Sequence, residues 1–243
     1  MKPSVLLSVF LCSAAFAAPA VASNIKSSPR AVLELFTSQG CSSCPPADAL
    51  LSSLGQRSDV IALAYHVDYW DYIGWADTFG AKTNTDRQRA YATAWDDSTV
   101  YTPELVVNGA KGLIGSRQDD VTKALGTASL PVPVNLTTDS DDMLDVSIDG
   151  KPGLSESGVW LVTFIDKANV AVERGENAGR TLSYTHVVTG RHILGMWDPQ
   201  AGAHLKLPLD EVLTAPSNGA VILVQSEHDG VPGPITGAAS FVR

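Results

Sequence analysis

The residues best suited to chemistry in this 243-residue chain are Cys41 and Cys44, separated by Ser42-Ser43 and followed by Pro45-Pro46. Thiols at this spacing close a small ring that opens and reseals by thiol–disulfide exchange. The apolar, β-compatible run Ala31 to Thr37 precedes them, and Ala47, Leu50, Leu51 and Leu54 follow at helical spacing, with Gly55 able to stop the helix. A Cys-x-x-Cys turn between a strand and a helix start has a chemical rationale. Amides at the helix N-terminus favour negative charge and lower a thiol below its free pKa of about 8.5. Pro45 disfavours helical geometry at the residue before it, so the regular helix is expected to begin at Pro45 or Pro46. That order makes Cys41 the more exposed sulfur and the nucleophile, with Cys44 resolving. An inert disulfide is the competing use of the pair. A four-thiolate zinc centre is not, because no second Cys-x-x-Cys exists.

The third cysteine, Cys12, falls in a leader. Lys2, the apolar run Val5 to Ala18 and the small-x-small step Ala20-Val21-Ala22 have the form of a secretory signal peptide over residues 1–22. Cleavage after Ala17 is the alternative, and bulky Leu11 argues against lipidation of Cys12. The run is short for a membrane span, and no later stretch reaches the roughly 18 apolar residues a stable insertion needs. The mature chain then carries one cysteine pair in an oxidising compartment, periplasmic or extracellular. Formal charge is −9, from 17 basic and 26 acidic residues, with no basic cluster. This excludes nucleic acid as a partner. The 44% hydrophobic content is that of a globular chain.

The elements that must position the pair are also readable. Val60 to Tyr65 is a continuous apolar run, as for a central strand covered on both faces. Thr102 to Gly109 reads as a proline turn, a buried strand and an Asn-Gly turn, Gly112 to Gly115 as another strand, and Arg117 to Ala128 as a helix. The order is β, Cys-x-x-Cys, α, β, insertion, Pro, β, β, α.

On Phe36-Thr37, Cys41-Ser42-Ser43-Cys44-Pro45 and Tyr101-Thr102-Pro103, the chain resembles the thioredoxin-like superfamily. Within it, the chain is similar to a secreted thioredoxin-like family of unknown function. Gln39 to Asp48, Tyr101 to Gly109 and Glu173-Arg174-Gly175-Glu176-Asn177 carry that similarity. The resemblance implies a cis-proline loop at Thr102-Pro103, holding a bound peptide in extended form beside the cysteines. It also implies a buried acid that takes the resolving thiol's proton. Glu34, seven residues before Cys41, is the candidate, one residue further away than the superfamily pattern. Protein thiols or a redox partner protein are the implied partners, and no cofactor is called for.

Two regions fall outside that pattern. His66 to Trp75 is rich in aromatics, and Asn84 to Trp95 reads as a helix, together an insertion over about residues 68–100. These aromatics either cap the redox centre or form the core of a helical layer, and the second reading is preferred. His66 ends a central strand, so Cys41, Cys44 and His66 form an alternative Cu(I) site. Beyond the linker-like Leu130-Pro131-Val132-Pro133, short strands separated by Pro/Gly/Asp turns suit an antiparallel, sandwich-like domain. The expected organisation is α/β: a thioredoxin-like domain over residues 23–129 and a β-rich domain over residues 130–243. Arg174, Glu176 and Arg180 lie in a hairpin turn, as a salt-bridge cluster or as a surface touching the first domain. The function expected is thiol–disulfide exchange. The alternatives are copper carriage, or a binding or assembly module with a structural disulfide.

Overall fold

The computed structural model describes residues 24–243, so the leader and Cys12 lie outside the described residues. In chain order the elements begin with β1 (Asn24–Lys26), β2 (Ala31–Thr37), α1 (Pro45–Gly55) and β3 (Val60–His66). A 3-10 turn (Asp71–Ile73) and α2 (Lys82–Ala94) form the insertion, followed by β4 (Glu104–Val107), β5 (Lys111–Ile114) and α3 (Gln118–Thr127). The second half holds β6 (Val134–Thr138), β7 (Met143–Ile148), β8 (Ser157–Ala171), β9 (Thr181–Trp197) and β10 (Ala203–Pro208). It ends with α4 (Leu209–Val212), β11 (Gly219–His228) and β12 (Val231–Val242). The fold is mixed α/β with strands predominating. The element order expected for residues 31–128 is present.

A nine-stranded mixed sheet runs in the order β1-β12-β11-β8-β9-β3-β2-β4-β5, and a three-stranded sheet in the order β10-β7-β6. Parallel β2 and β3 pair from Ala31↔Val60 to Thr37↔His66, and all seven residues of each are buried. Their unbroken apolar runs follow from cover on both faces. Side chains alternate along β2: Leu33 and Leu35 pack with Ala47 and Leu51 of α1, whereas Val32 and Phe36 pack with Tyr91 of α2. The two helices therefore cover opposite faces, and this parity decides where every polar residue on β2 and β3 points.

The large sheet does not stop at Leu130–Pro133. β3 pairs with β9 at Ala64↔Val187, and β1 pairs with β12 from Asn24↔Val242 to Lys26↔Ser240. Sandwich-like packing is present where the small sheet lies on the large one, with Val134, Leu144 and Val146 against Val159, Ile222 and Phe241. The large sheet of that sandwich also carries the N-terminal strands. Several short strands expected in this half merge. Val159–Ile165 and the start of Val170–Glu173 join in β8, which pairs in unbroken register from Phe164 to Ala171. Leu182–Thr189 and His192–Trp197 join in β9, with a register shift at Thr163/Phe164 beside their junction. β12, broken by Pro232, Gly233, Pro234 and Gly237, gives no strand pattern. A Cβ at Gly237 would meet the Val132 carbonyl at 2.6 Å, so this glycine permits the linker to approach the sheet.

Candidate functional site

Cys41 and Cys44 are joined in a disulfide, Cα–Cα 5.4 Å, at the entry to α1. Cys44 is the N-cap and adopts helical φ −77°, ψ −37°, against the expected effect of Pro45. Amides of Ala47 and Asp48 donate to its carbonyl at 2.8 and 3.1 Å, which holds it in that geometry. Both cysteines are fully buried, while Ser42 and Ser43 between them are exposed. This corrects the expectation that Cys41 is the more exposed sulfur. The helix start is also poorer in donors than expected. Pro45 and Pro46 lack amides, and the next two serve the Cys44 carbonyl. The Ser43 hydroxyl, 3.4 Å from Cys41 Sγ, stands against that sulfur instead.

Three segments fix the turn. From the insertion, Asp77 accepts the Gln39 amide at 2.7 Å, and the Trp75 indole donates to the Gln39 side chain at 2.8 Å. From the β8–β9 hairpin, the buried Asn177 side-chain amide donates to both the Gln39 and Cys41 carbonyls, at 2.9 and 3.0 Å. Glu176 accepts the Ser42 amide at 3.3 Å, and Arg180 orients Asn177 through a 2.7 Å bond. The hairpin that holds Arg174, Glu176 and Arg180 thus touches the disulfide turn. The third segment is Thr102–Pro103, whose peptide bond is cis. Trp70 links it to the turn: its indole donates to Thr102 Oγ1 at 2.7 Å, and its Cβ would lie 3.2 Å from a Cβ on Gly40.

Beneath the turn, on the α1 face, sits a buried polar group. Asp48, one helical turn after Cys44 and on the same helix face, accepts from Thr37 Oγ1 at 2.8 Å. Burial pushes its carboxyl up to about 7, and Asp77 adds to the rise while His66 and the Thr37 bond oppose it. His66 shares the parity of Ala62 and Ala64 and so faces this side. Its Nδ1 pairs with Asp77 at 2.8 Å, both side chains fully buried, and its Nε2 has no partner among the described residues. For Asp77, burial acts upward, but the His66 bond and charge with the Gln39 and Phe79 amides hold it below the usual carboxylate range. Tyr184 lies edge-on to His66, 4.5 Å between centroids, its hydroxyl unpartnered among the described residues. Burial, then Asp48 and Asp77, raise that phenol.

Glu34 is not brought to this group. It shares the parity of Val32 and Phe36 and faces α2, where Arg87 binds it at 2.7 and 2.9 Å and Tyr91 donates to its other oxygen. The resemblance implies a buried acid beside the cysteines; Glu34 is buried, but its carboxylate belongs to an ion pair on the far side of the sheet. Among the described residues, no three His, Cys, Asp or Glu side chains converge as a metal site. His66 nevertheless shares the disulfide's face.

The family model described as a protein of unknown function (DUF1223) matches residues 32–225. The chain belongs to the DUF1223 family. The match takes in the disulfide turn, the cis-proline segment and the Asn177 hairpin. A crystal structure of a protein from Agrobacterium tumefaciens is similar, at 34% identity and TM-score 0.79, over 88% of this chain and 95% of that one. No curated protein matches the chain.

Sequence reasoning missed the site roles of Asp48, Asp77 and Asn177, although Asp48 and Asn177 lie in segments that carry the family similarity. Asp48 carried a signal: helix position i+4 from Cys44. Asp77 and Asn177 carried none in their spacing, because folding brings them from 38 and 138 residues away to Gln39.

Proposed function

We propose that the chain is a thiol–disulfide oxidoreductase acting on protein thiols. In this reading β2, α1, β3, β4, β5 and α3 form a thioredoxin-like unit, exported to the periplasm or secreted. One observation carries it: a Cys-x-x-Cys disulfide at a helix N-terminus, tied through Trp70 to a cis Thr102–Pro103 bond. The edge of that loop would hold a substrate backbone in extended form. A substrate thiolate attacks Cys41, the S–S bond breaks, and its electron pair leaves with Cys44. Asp48, with a pKa of about 7, holds a proton near neutrality and gives it to the Cys44 thiolate. A second substrate thiolate then attacks the substrate sulfur of the mixed disulfide and expels Cys41. Two electrons pass from the substrate dithiol to the pair, and the reverse sequence oxidises it. Asp48 takes the role that the resemblance assigned to Glu34.

The test is trapping with Cys44→Ser in mature protein. With oxidised insulin, this variant is expected to accumulate a mixed disulfide through its remaining Cys41, released by dithiothreitol. Cys41→Ser is expected to trap little. Equal trapping by both variants, or none by either, would sink the assignment of roles. A Cu(I) carrier using Cys41, Cys44 and His66 draws on one observation, a histidine oriented by a carboxylate with its second nitrogen free. Stoichiometric Cu(I) on the reduced protein, lost in His66→Ala, would favour that reading instead.

A further inference from the structure

Five buried side-chain polar atoms lack a hydrogen-bond partner among the described residues, and they fall into two groups. His66 Nε2 and the Tyr184 hydroxyl lie on the disulfide face. The Tyr65 hydroxyl, Arg191 Nε and Trp160 Nε1 gather on the opposite face, in or against the cluster that α2 covers. There, a cavity of about 490 Å³ opens between α2, β9 and the β11–β12 turn, lined in part by Tyr65, Arg87 and Arg191. Tyr65 is only 1% exposed.

The two arginines are unequally neutralised. Arg87 is gripped by Glu34 and bonded to Tyr91 and Gln225. Arg191 has one carboxylate contact, to Glu227 at 3.2 Å, and a 3.3 Å bond to Gln225. Its guanidinium stacks 3.3 Å from the Trp160 ring centroid, leaving Nε unused. Burial, then the like charge of Arg87, lower Arg191, against the opposing pull of Tyr65, Glu34 and Glu227. An oxyanion accepting from Arg191 Nε and the Tyr65 hydroxyl would satisfy both donors. A planar carboxylate suits the guanidinium edge. Of the carboxylates near these donors, Glu34 is held by Arg87, Asp86 by Lys82 and Glu227 by Arg191; all three oppose a multiply charged anion more strongly than a singly charged one. Ala81, Ala90 and Val188 offer apolar lining for a short carbon chain.

We infer that this cavity, distinct from the disulfide and on the other face of the sheet, binds a small organic monocarboxylate through Arg191 and Tyr65. The inference does not depend on the redox reading. It is tested by titrating butyrate into the oxidised, isotopically labelled mature protein. The Trp160 indole N–H, assigned with Trp160→Phe, and the Arg191 Nε–H are followed by NMR, with butanol and phosphate as comparison probes. Both signals are expected to shift saturably with butyrate, more weakly with phosphate and not with butanol. Arg191→Gln is expected to weaken butyrate at least about tenfold, the loss of a charge-assisted hydrogen bond. Tyr65→Phe, which removes only an unpartnered hydroxyl and so spares the fold, is expected to weaken it several-fold. No saturable shift overturns the inference, as does an equal response to butanol, tighter binding of phosphate, or unchanged affinity in Tyr65→Phe.

Discussion

Glu34 and Asp48 are both buried carboxylates, but only Glu34 has a cation bonded to it. Arg87 and Tyr91 bind Glu34 on the α2 face, so its function is to neutralise a buried guanidinium. Removing it leaves that charge uncompensated. Glu34→Ala is expected to lose about 3–5 kcal/mol by chemical denaturation while the folded fraction keeps its thiol chemistry. Loss of disulfide exchange in folded Glu34→Ala would return Glu34 to the site. Asp48 has a hydroxyl partner and no ion pair, and burial raises it from 3.8 to about 7. The folded state therefore binds the Asp48 proton more tightly than the unfolded chain. Its stabilising effect is full below the unfolded pKa and is lost as pH rises toward and through 7. Asp48→Asn is expected to remove this loss, gaining about 2–3 kcal/mol relative to the native protein between pH 5 and pH 8. The same variant is expected to slow release of the Cys44 thiolate and flatten the pH dependence of exchange near neutrality. Equal pH–stability curves for the two proteins would refute a raised Asp48.

At the scale of elements, the β8–β9 hairpin holds the disulfide turn through one side chain. Asn177 satisfies two carbonyls of the turn, Gln39 and Cys41, and both cysteines are buried under this arrangement. Asn177→Ala is expected to cost about 1–3 kcal/mol through the unsatisfied carbonyls. It is also expected to speed reduction by dithiothreitol several-fold, because the turn is freed; an unchanged rate would show that the hairpin does not limit access. The local parts of this site were legible in the sequence. Strand, Cys-x-x-Cys and helix over residues 31–55 announce themselves through apolar periodicity and capping, and Tyr101-Thr102-Pro103 through its resemblance. The orientation of Glu34 was not legible, because β2 is apolar on both faces and alternation gives no signal there. Asp77 was not legible either, since nothing local marks a side chain whose partner lies far along the chain. Asn177 stood in a segment that carries the family similarity, but nothing there gave its partners Gln39 and Cys41. β12 was hidden by its prolines and glycines, which read as turns although pairing with β11 and β1 makes it a strand.

At the scale of the molecule, one sheet joins the two halves that composition and turn density set apart. β1 from the start of the described chain closes on β12 at its end, and β3 meets β9 beside the site. The halves are thus expected to unfold together. Trp70, Trp75 and Trp95 lie in the first half and Trp160 and Trp197 in the second. Calorimetry of the oxidised protein is expected to show one transition, coincident with loss of tryptophan fluorescence and of circular dichroism. Two resolved transitions would show that the shared sheet does not couple them. The central claim is that the Cys41–Cys44 bond, clamped by Asn177 and lying above a protonatable Asp48, cycles between oxidised and reduced forms. Its most direct test is the reduction potential of the pair in the mature protein, measured against a glutathione series. A redox-active pair is expected above about −300 mV, in the range of exchange catalysts, with turnover of insulin disulfides. A potential below about −300 mV without turnover would identify a structural disulfide and contradict the account.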